Sequence, residues 1–198
     1  MSIQNAYEIL SGVGVLYVAT AETAKPSFDS APGVAWTEIS ETDGGVKVIS
    51  SQEIEKLYAD QHTGALKAIR KEESLKIETN IIRSTLEILA KILGGVTVTD
   101  TAAGASTIGY RTLGFHRGNS VTEFAMLFRG TAQSAYGASY SAQFYIPRGF
   151  FNGEMGLEFK KDGKVMVPVQ FEALMDLDEA TSEYKFGQYD MQDAAPTG

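Results

Sequence analysis

The chain has no cysteine in its 198 residues, which excludes a disulfide framework, a thiolate metal site and a cysteine nucleophile. Histidine is nearly absent as well. His62 falls in a stretch of unclear form and His116 at a strand end; neither has an evident partner, so both read as surface or turn residues rather than as a metal ligand or general base. The glycine patterns that cradle phosphates are also missing. Gly12-Val13-Gly14 is not followed by a third glycine at the right spacing, no Walker loop is present, and no serine sits in a nucleophile-elbow context. Adjacent acids such as Glu72-Glu73 and Asp178-Glu179 carry no geometric information on their own. No catalytic, cofactor-binding or metal-ligating residue is assigned, and the chain reads as a non-enzyme.

Positive charge is scarce. Seventeen Lys and Arg stand against 25 Asp and Glu, a net charge of −8, which gives little support to tight nucleic-acid binding through clustered cations. The surplus is uneven: residues 172–193 hold seven acids and one base, Lys185. Such a stretch acts either as a solvated, solubilising surface or as a surface that must not hold DNA. Long apolar runs are lacking too. The first, residues 13–19, is too short for a membrane span and is broken by Gly14. No basic leader precedes it, so a soluble, unprocessed chain without membrane insertion is expected. The length suits one domain with a substantial core.

What is present is best organised around residues 75–95. Leu75, Ile77, Thr79 and Ile81 alternate with Lys76, Glu78 and Asn80, as a half-buried strand requires. The period then changes. Ser84-Thr85-Leu86-Glu87 has capping-box spacing, Leu86, Ile88, Leu89, Ala90, Ile92 and Leu93 cover a broad helical arc, and Glu87 and Lys91 form an i, i+4 pair. Gly94-Gly95 supplies the stop. The spacing predicts a helix of about three turns over residues 84–93, lying between layers of sheet.

Elsewhere the patterns are those of strands. Residues 14–19 form a first strand, Pro26 and Pro32 mark a long connection, and 36–39 and 46–49 read as a hairpin about Asp43-Gly44-Gly45. Residues 50–73 hold nine charged side chains, and a short strand is expected on either side of an extended loop over 58–68. Residues 96–107 read as strand ends around a flexible turn, followed by strands over 108–115 and 121–129. The uninterrupted Phe124-Ala125-Met126-Leu127-Phe128 marks the latter as central, covered on both faces. An aromatic strand over 140–146 should end at Pro147. Leu157 and Phe159, a turn at Asp162-Gly163, and residues 165–173 form a last hairpin, with Pro168 pointing to an edge or bulge.

The fold class is therefore mainly β, about nine or ten strands in two packed sheets or a flattened barrel, with one α-helix plugging one side. Residues 1–187 are expected to be a single β domain with an extended loop around 50–73, and 188–198 a loose C-terminal tail. Tyr136, Tyr140, Phe144, Tyr145, Phe150 and Phe151 resemble a stacking platform, but alternation favours core and interface use, and the basic groove that single-strand binding needs is missing. A carbohydrate-binding or adhesive β-sandwich that uses these aromatics is the alternative reading.

Read in order, these features resemble the major tail tube protein of long, non-contractile-tailed bacteriophages. The likeness rests on Gly14-Val15-Leu16-Tyr17-Val18-Ala19, on Trp36-Thr37-Glu38-Ile39 through Gly45-Val46, and on Ala59-Asp60-Gln61 followed by Gly64-Ala65-Leu66-Lys67. It continues in Thr85-Leu86-Glu87-Ile88-Leu89-Ala90, Phe144-Tyr145-Ile146-Pro147-Arg148, and Asp162-Gly163-Lys164 to Asp176. The resemblance implies a structural virion protein without a cofactor, made in the host bacterial cytoplasm, whose hexameric rings stack into a hollow tube. It implies strands of every subunit joined in one barrel around the channel, a tape measure protein inside, tail terminator and distal tail or baseplate proteins at the ends, and transient, non-adhesive passage of DNA. A long loop at the place of 58–68 reaches a neighbouring subunit in that family, so Tyr58, Leu66 and Lys67 are the candidate contacts between rings.

Overall fold

The computed structural model describes residues 14–28, 30–82, 85–130, 134–137, 139–157 and 164–195. Ten strands and one α-helix follow in the order β1 (Gly14–Thr20), β2 (Thr37–Ser40), β3 (Thr42–Leu57), β4 (Lys67–Ile81), α1 (Leu86–Ile92), β5 (Val98–Thr101), β6 (Tyr110–Leu113), β7 (Phe124–Gly130), β8 (Ala142–Phe151), β9 (Val167–Ala173) and β10 (Gln188–Met191). Eight belong to one antiparallel sheet with the path β2-β1-β7-β8-β9-β4-β3, and β5 and β6 pair separately. The two ends of that path are neighbours in the chain. Only Glu41 separates β2 from β3, so one bent strand pairs with β1 on one side and β4 on the other, and the sheet closes into a flattened barrel. A hydrogen bond from the Ile82 N–H to the Glu41 carbonyl, 3.2 Å, holds the corner.

Alternation decides what fills the barrel. Leu16 and Val18 of β1, Ile77 and Ile81 of β4, Met126 of β7, Ile146 of β8 and Phe171 of β9 point inward and share one core with Ile88, Leu89 and Ile92 of α1. The opposite face of β7 is covered as well: Ala125 and Leu127 pack with Trp36, and the Trp36 ring meets Tyr145 edge-on. The unbroken apolar run of β7, flanked by β1 and β8, thus has the central position it was expected to have. The Pro-containing connection supplies that outer cover. Arg129 donates to the carbonyls of Ser27 and Ser30, and the Tyr145 hydroxyl to the carbonyl of Thr23 at 2.8 Å.

The helix is shorter than expected, two turns with Thr85 at its N-cap. That start puts Glu87 one place too early for a capping box, and Ser84 lies outside the described residues. Gly94 and Gly95 take φ of 90° and 79° and end the helix as foreseen, the Gly95 N–H reaching the Ala90 carbonyl at 2.8 Å. The Glu87–Lys91 pair does not form. Glu87 instead pairs with Arg111 of β6, and the Lys91 ammonium donates to the Thr37 hydroxyl at 3.2 Å, so the polar face of α1 ties the β5–β6 hairpin to the barrel. The helix therefore lies between two sheets, as its broad apolar arc required.

Four further expectations are corrected. Asp43-Gly44-Gly45 is not a hairpin turn: β2 and β3 do not pair, and the two glycines, at φ of 80° and 83°, form a bulge in β3 where Thr42 faces Ile81 and Val46 faces Thr79. Pro147 does not end its strand. β8 runs through it to Phe151 because the register against β7 slips between Phe124 and Met126, and a bulge tolerates the missing N–H. The run from Gln188 is not all loose tail, since β10 pairs with β8 at Ala142 to Tyr145, along the edge β9 leaves free. Residues 108–115 and 121–129 give shorter strands than their patterns suggested, β6 and β7. Pro168 sits on the stretch of β9 paired with β4 alone, an edge position as foreseen, whereas Phe159 and the Asp162-Gly163 turn lie outside the described residues.

Candidate assembly surface

The strands expected to be short around residues 58–68 are the longest in the molecule. β3 and β4 stay paired out to Leu57 and Lys67, although β9 covers β4 only as far as Lys76. Beyond that point a two-stranded ribbon projects about 25 Å, at ~3.3 Å per residue. Among the described residues neither of its outer edges is paired. Every residue of 50–58 and 60–73 is exposed. The sequence reading failed because both faces of a free ribbon meet water, so no burial-driven alternation marks it as strand.

The tip is closed by the Leu66 N–H to the Leu57 carbonyl at 2.8 Å and the His62 N–H to the Ala59 carbonyl at 3.0 Å. Tyr58, Leu66 and Lys67 therefore stand together, with Tyr58 64% and Leu66 59% exposed. The structure adds Ile54, Leu57 and Ile69, each at least 40% exposed. Their signal was the isoleucine and leucine interleaved with charges, which becomes legible only once the register is known. Covering these five large apolar side chains is worth about 1 kcal/mol apiece, given that each is roughly half exposed.

A second bulge sets the two faces. Glu53 opposes Glu72 and Ile54 opposes Arg70, so Lys71 is the extra residue. One face then carries Gln52, Ile54, Lys56, Ala68, Arg70 and Glu73, and Arg70 is held there by Glu73 and, at 2.8 Å, by the Gln52 amide oxygen. The other carries Leu57 and Ile69 near the tip and Glu53 and Glu72 below them. Lys71 lies 3.3 Å from Glu55, but no cation among the described residues pairs with Glu53 or Glu72. Like charges directly opposite each other in a ladder are destabilising.

The acids of residues 172–193 are not uniformly free. Glu172 pairs with Lys76 at 3.5 Å and Asp190 with Lys25 at 2.7 Å, whereas Asp178, Glu179 and Glu183 have no cationic partner among the described residues. Glu22, Asp176 and Asp178 bring carboxylate oxygens within 4.8 Å of one another. Burial pushes the neighbouring Tyr145 hydroxyl up to about 12, with Asp176, Glu179 and Glu22 adding to it. His62 is exposed at the ribbon tip and His116 beyond β6. The aromatics do not form an open platform. Phe144 stacks on Tyr189 at 3.9 Å, and Phe151 packs against Phe124 and Phe171 in the core. Among the described residues no helix is long and apolar enough to cross a membrane.

A family model described as phage tail tube protein matches residues 1–197. No curated protein matches the chain.

Proposed function

The chain belongs to the phage tail tube protein family, and from that premise we propose that it is the major tail tube subunit of a long, non-contractile-tailed bacteriophage. Six copies close into a ring, rings stack into a hollow tube around a tape measure protein, and DNA later leaves through the bore. Terminator and distal tail or baseplate proteins cap the two ends. The role is structural, without turnover and without a cofactor.

The observation that carries this reading is the β3–β4 ribbon. A monomer that, among its described residues, leaves two long ribbon edges unpaired and five large apolar side chains exposed along that ribbon is incomplete by itself. Neighbouring copies supply both remedies: strand edges pair around the ring, and the tip at Tyr58, Leu66 and Lys67 reaches the adjacent ring. Stacking covers the bare apolar side chains of the tip, and the new contact offsets the entropy cost of fixing them.

Replacing residues 58–68 by a short Gly-Ser linker tests this. The barrel core contains no residue of that segment, so the variant stays folded by circular dichroism, and electron microscopy of concentrated protein shows no tubes. Tubes of normal length and diameter from the variant would refute the assignment of the tip.

A further inference from the structure

The ribbon and the surface it needs lie at opposite ends of the molecule. Thr20 of β1 pairs with Phe124 of β7, and Ile81 of β4 with Val167 of β9, so these four residues mark one end of the barrel. Everything between β4 and β7, including α1, β5 and β6, connects at that end. Arg117 and the residues after it line a cavity there with Gly94 and Phe151. The β3–β4 ribbon leaves from the other end, beyond Lys76.

The end opposite the ribbon has its own unpartnered surface. Ile108 is 87% exposed, Phe115 69%, Val121 65% and Tyr110 61%. This surface is basic, whereas the ribbon carries the opposed acids Glu53 and Glu72. Residues 101–122 contain no Asp or Glu, and their bases are Arg111 and Arg117. Arg111 is held by Glu87, whereas Arg117 is exposed and pairs with no acid among the described residues.

We propose that the ribbon face bearing Leu57 and Ile69 docks, head to tail, onto the surface of Ile108, Tyr110, Phe115 and Val121 of a second copy, with Arg117 of that copy meeting Glu53 and Glu72. The inference rests on the self-assembling reading above and identifies what the ribbon binds. A contact between unlike surfaces at opposite ends of one subunit does not close on itself. It propagates along one axis, which gives rings a direction of stacking. The ribbon's like-charged Glu53–Glu72 pair disfavours the free state and rewards the correct partner.

The absence of cysteine makes the test clean. Leu66→Cys and Phe115→Cys are made as separate single variants, co-assembled, and treated with a short bismaleimide. A covalent dimer is expected in tubes from the mixture and not from either variant alone. Leu66→Cys mixed with Tyr136→Cys, an exposed position on the connection from Gly130 of β7 to Ala142 of β8, at the end of β7 away from Phe124, gives none. In parallel, Arg117→Glu lowers tube yield at least tenfold, and adding Glu53→Lys and Glu72→Lys restores it. Tubes that cross-link only through Tyr136→Cys, or through neither, overturn the docking while leaving the tube assignment intact, and so does Arg117→Glu assembling like the parent. A parent chain that forms no tubes would remove the reading on which the proposal stands.

Discussion

Arg129 shows how far a single side chain organises this fold. Burial pulls its pKa down from the ordinary arginine value, and its guanidinium is met by neutral oxygens: Ser30 at 2.6 Å, Ser27 at 2.7 Å and the Gln143 amide at 2.7 Å. An arginine keeps its proton in such a site, and its fork geometry matches several acceptors at once. Arg129→Met is expected to cost about 1.5–3 kcal/mol, the worth of hydrogen bonds to a charged donor, read from the urea midpoint. Lys at this position recovers only part of it. Gly149 makes a second case. A Cβ there would stand 2.5 Å from both the Glu172 carbonyl oxygen and the Phe171 ring, so Gly149→Ala should destabilise by about 1–3 kcal/mol through overpacking. Neither residue was legible in the sequence. Arg129 follows a strand pattern that hides its carbonyl partners, 99 and 102 positions away, and Gly149 looks like any glycine after a proline.

Among the elements, legibility tracked burial. β1, β4 and β7 were readable because one or both faces enter the core, which forces a period on the sequence. The β3–β4 ribbon was not, because water meets both of its faces. Asp43-Gly44-Gly45 failed for another reason: the φ > 0 chemistry of a hairpin turn is also that of a bulge, and only the partner strand decides between them. Tyr58, Leu66 and Lys67 stand together at the tip, whereas Leu57 and Ile69 could be placed only from the register. The helix offers a pH test at this scale. The Glu87 carboxyl is held below its ordinary value of 4.5, chiefly by its own backbone N–H and then by Arg111. A depressed carboxylate contributes fully above its unfolded pKa and loses that contribution as pH falls through the folded one. The tie between α1 and the β5–β6 hairpin is therefore expected to be intact at pH 7 and to loosen below about pH 4.5, with amide exchange rising in β6 before it rises in β7. Simultaneous loss of protection in both strands would contradict that order.

At the scale of the whole molecule the charge of −8 sets the problem of assembly and of function together. In the proposed tube, copies packed around a bore would repel one another, and duplex DNA passing through would have to leave the wall unbound. The acids that matter are those without a cation: Glu172 and Asp190 are paired, while Asp178, Glu179 and Glu183 are not. These three lie on the connection between β9 and β10. We predict that they face the channel of the assembled tube. If so, their unscreened charge repels phosphates over about a Debye length, ~8 Å at physiological salt, and reversing it should convert a non-adhesive wall into a binding one. The triple variant Asp178→Lys, Glu179→Lys, Glu183→Lys changes the subunit charge from −8 to −2, three acids being replaced by three bases. It should still form tubes, since these side chains belong to neither core cluster. Its tubes should retain single-stranded oligonucleotides short enough to enter the bore, measured by co-sedimentation, with retention falling steeply as salt rises. Parent tubes should retain none. Equal retention by parent and variant, or a tube structure whose bore is lined mainly by Lys and Arg, would place these acids elsewhere and leave the repulsive lining without residues to supply it.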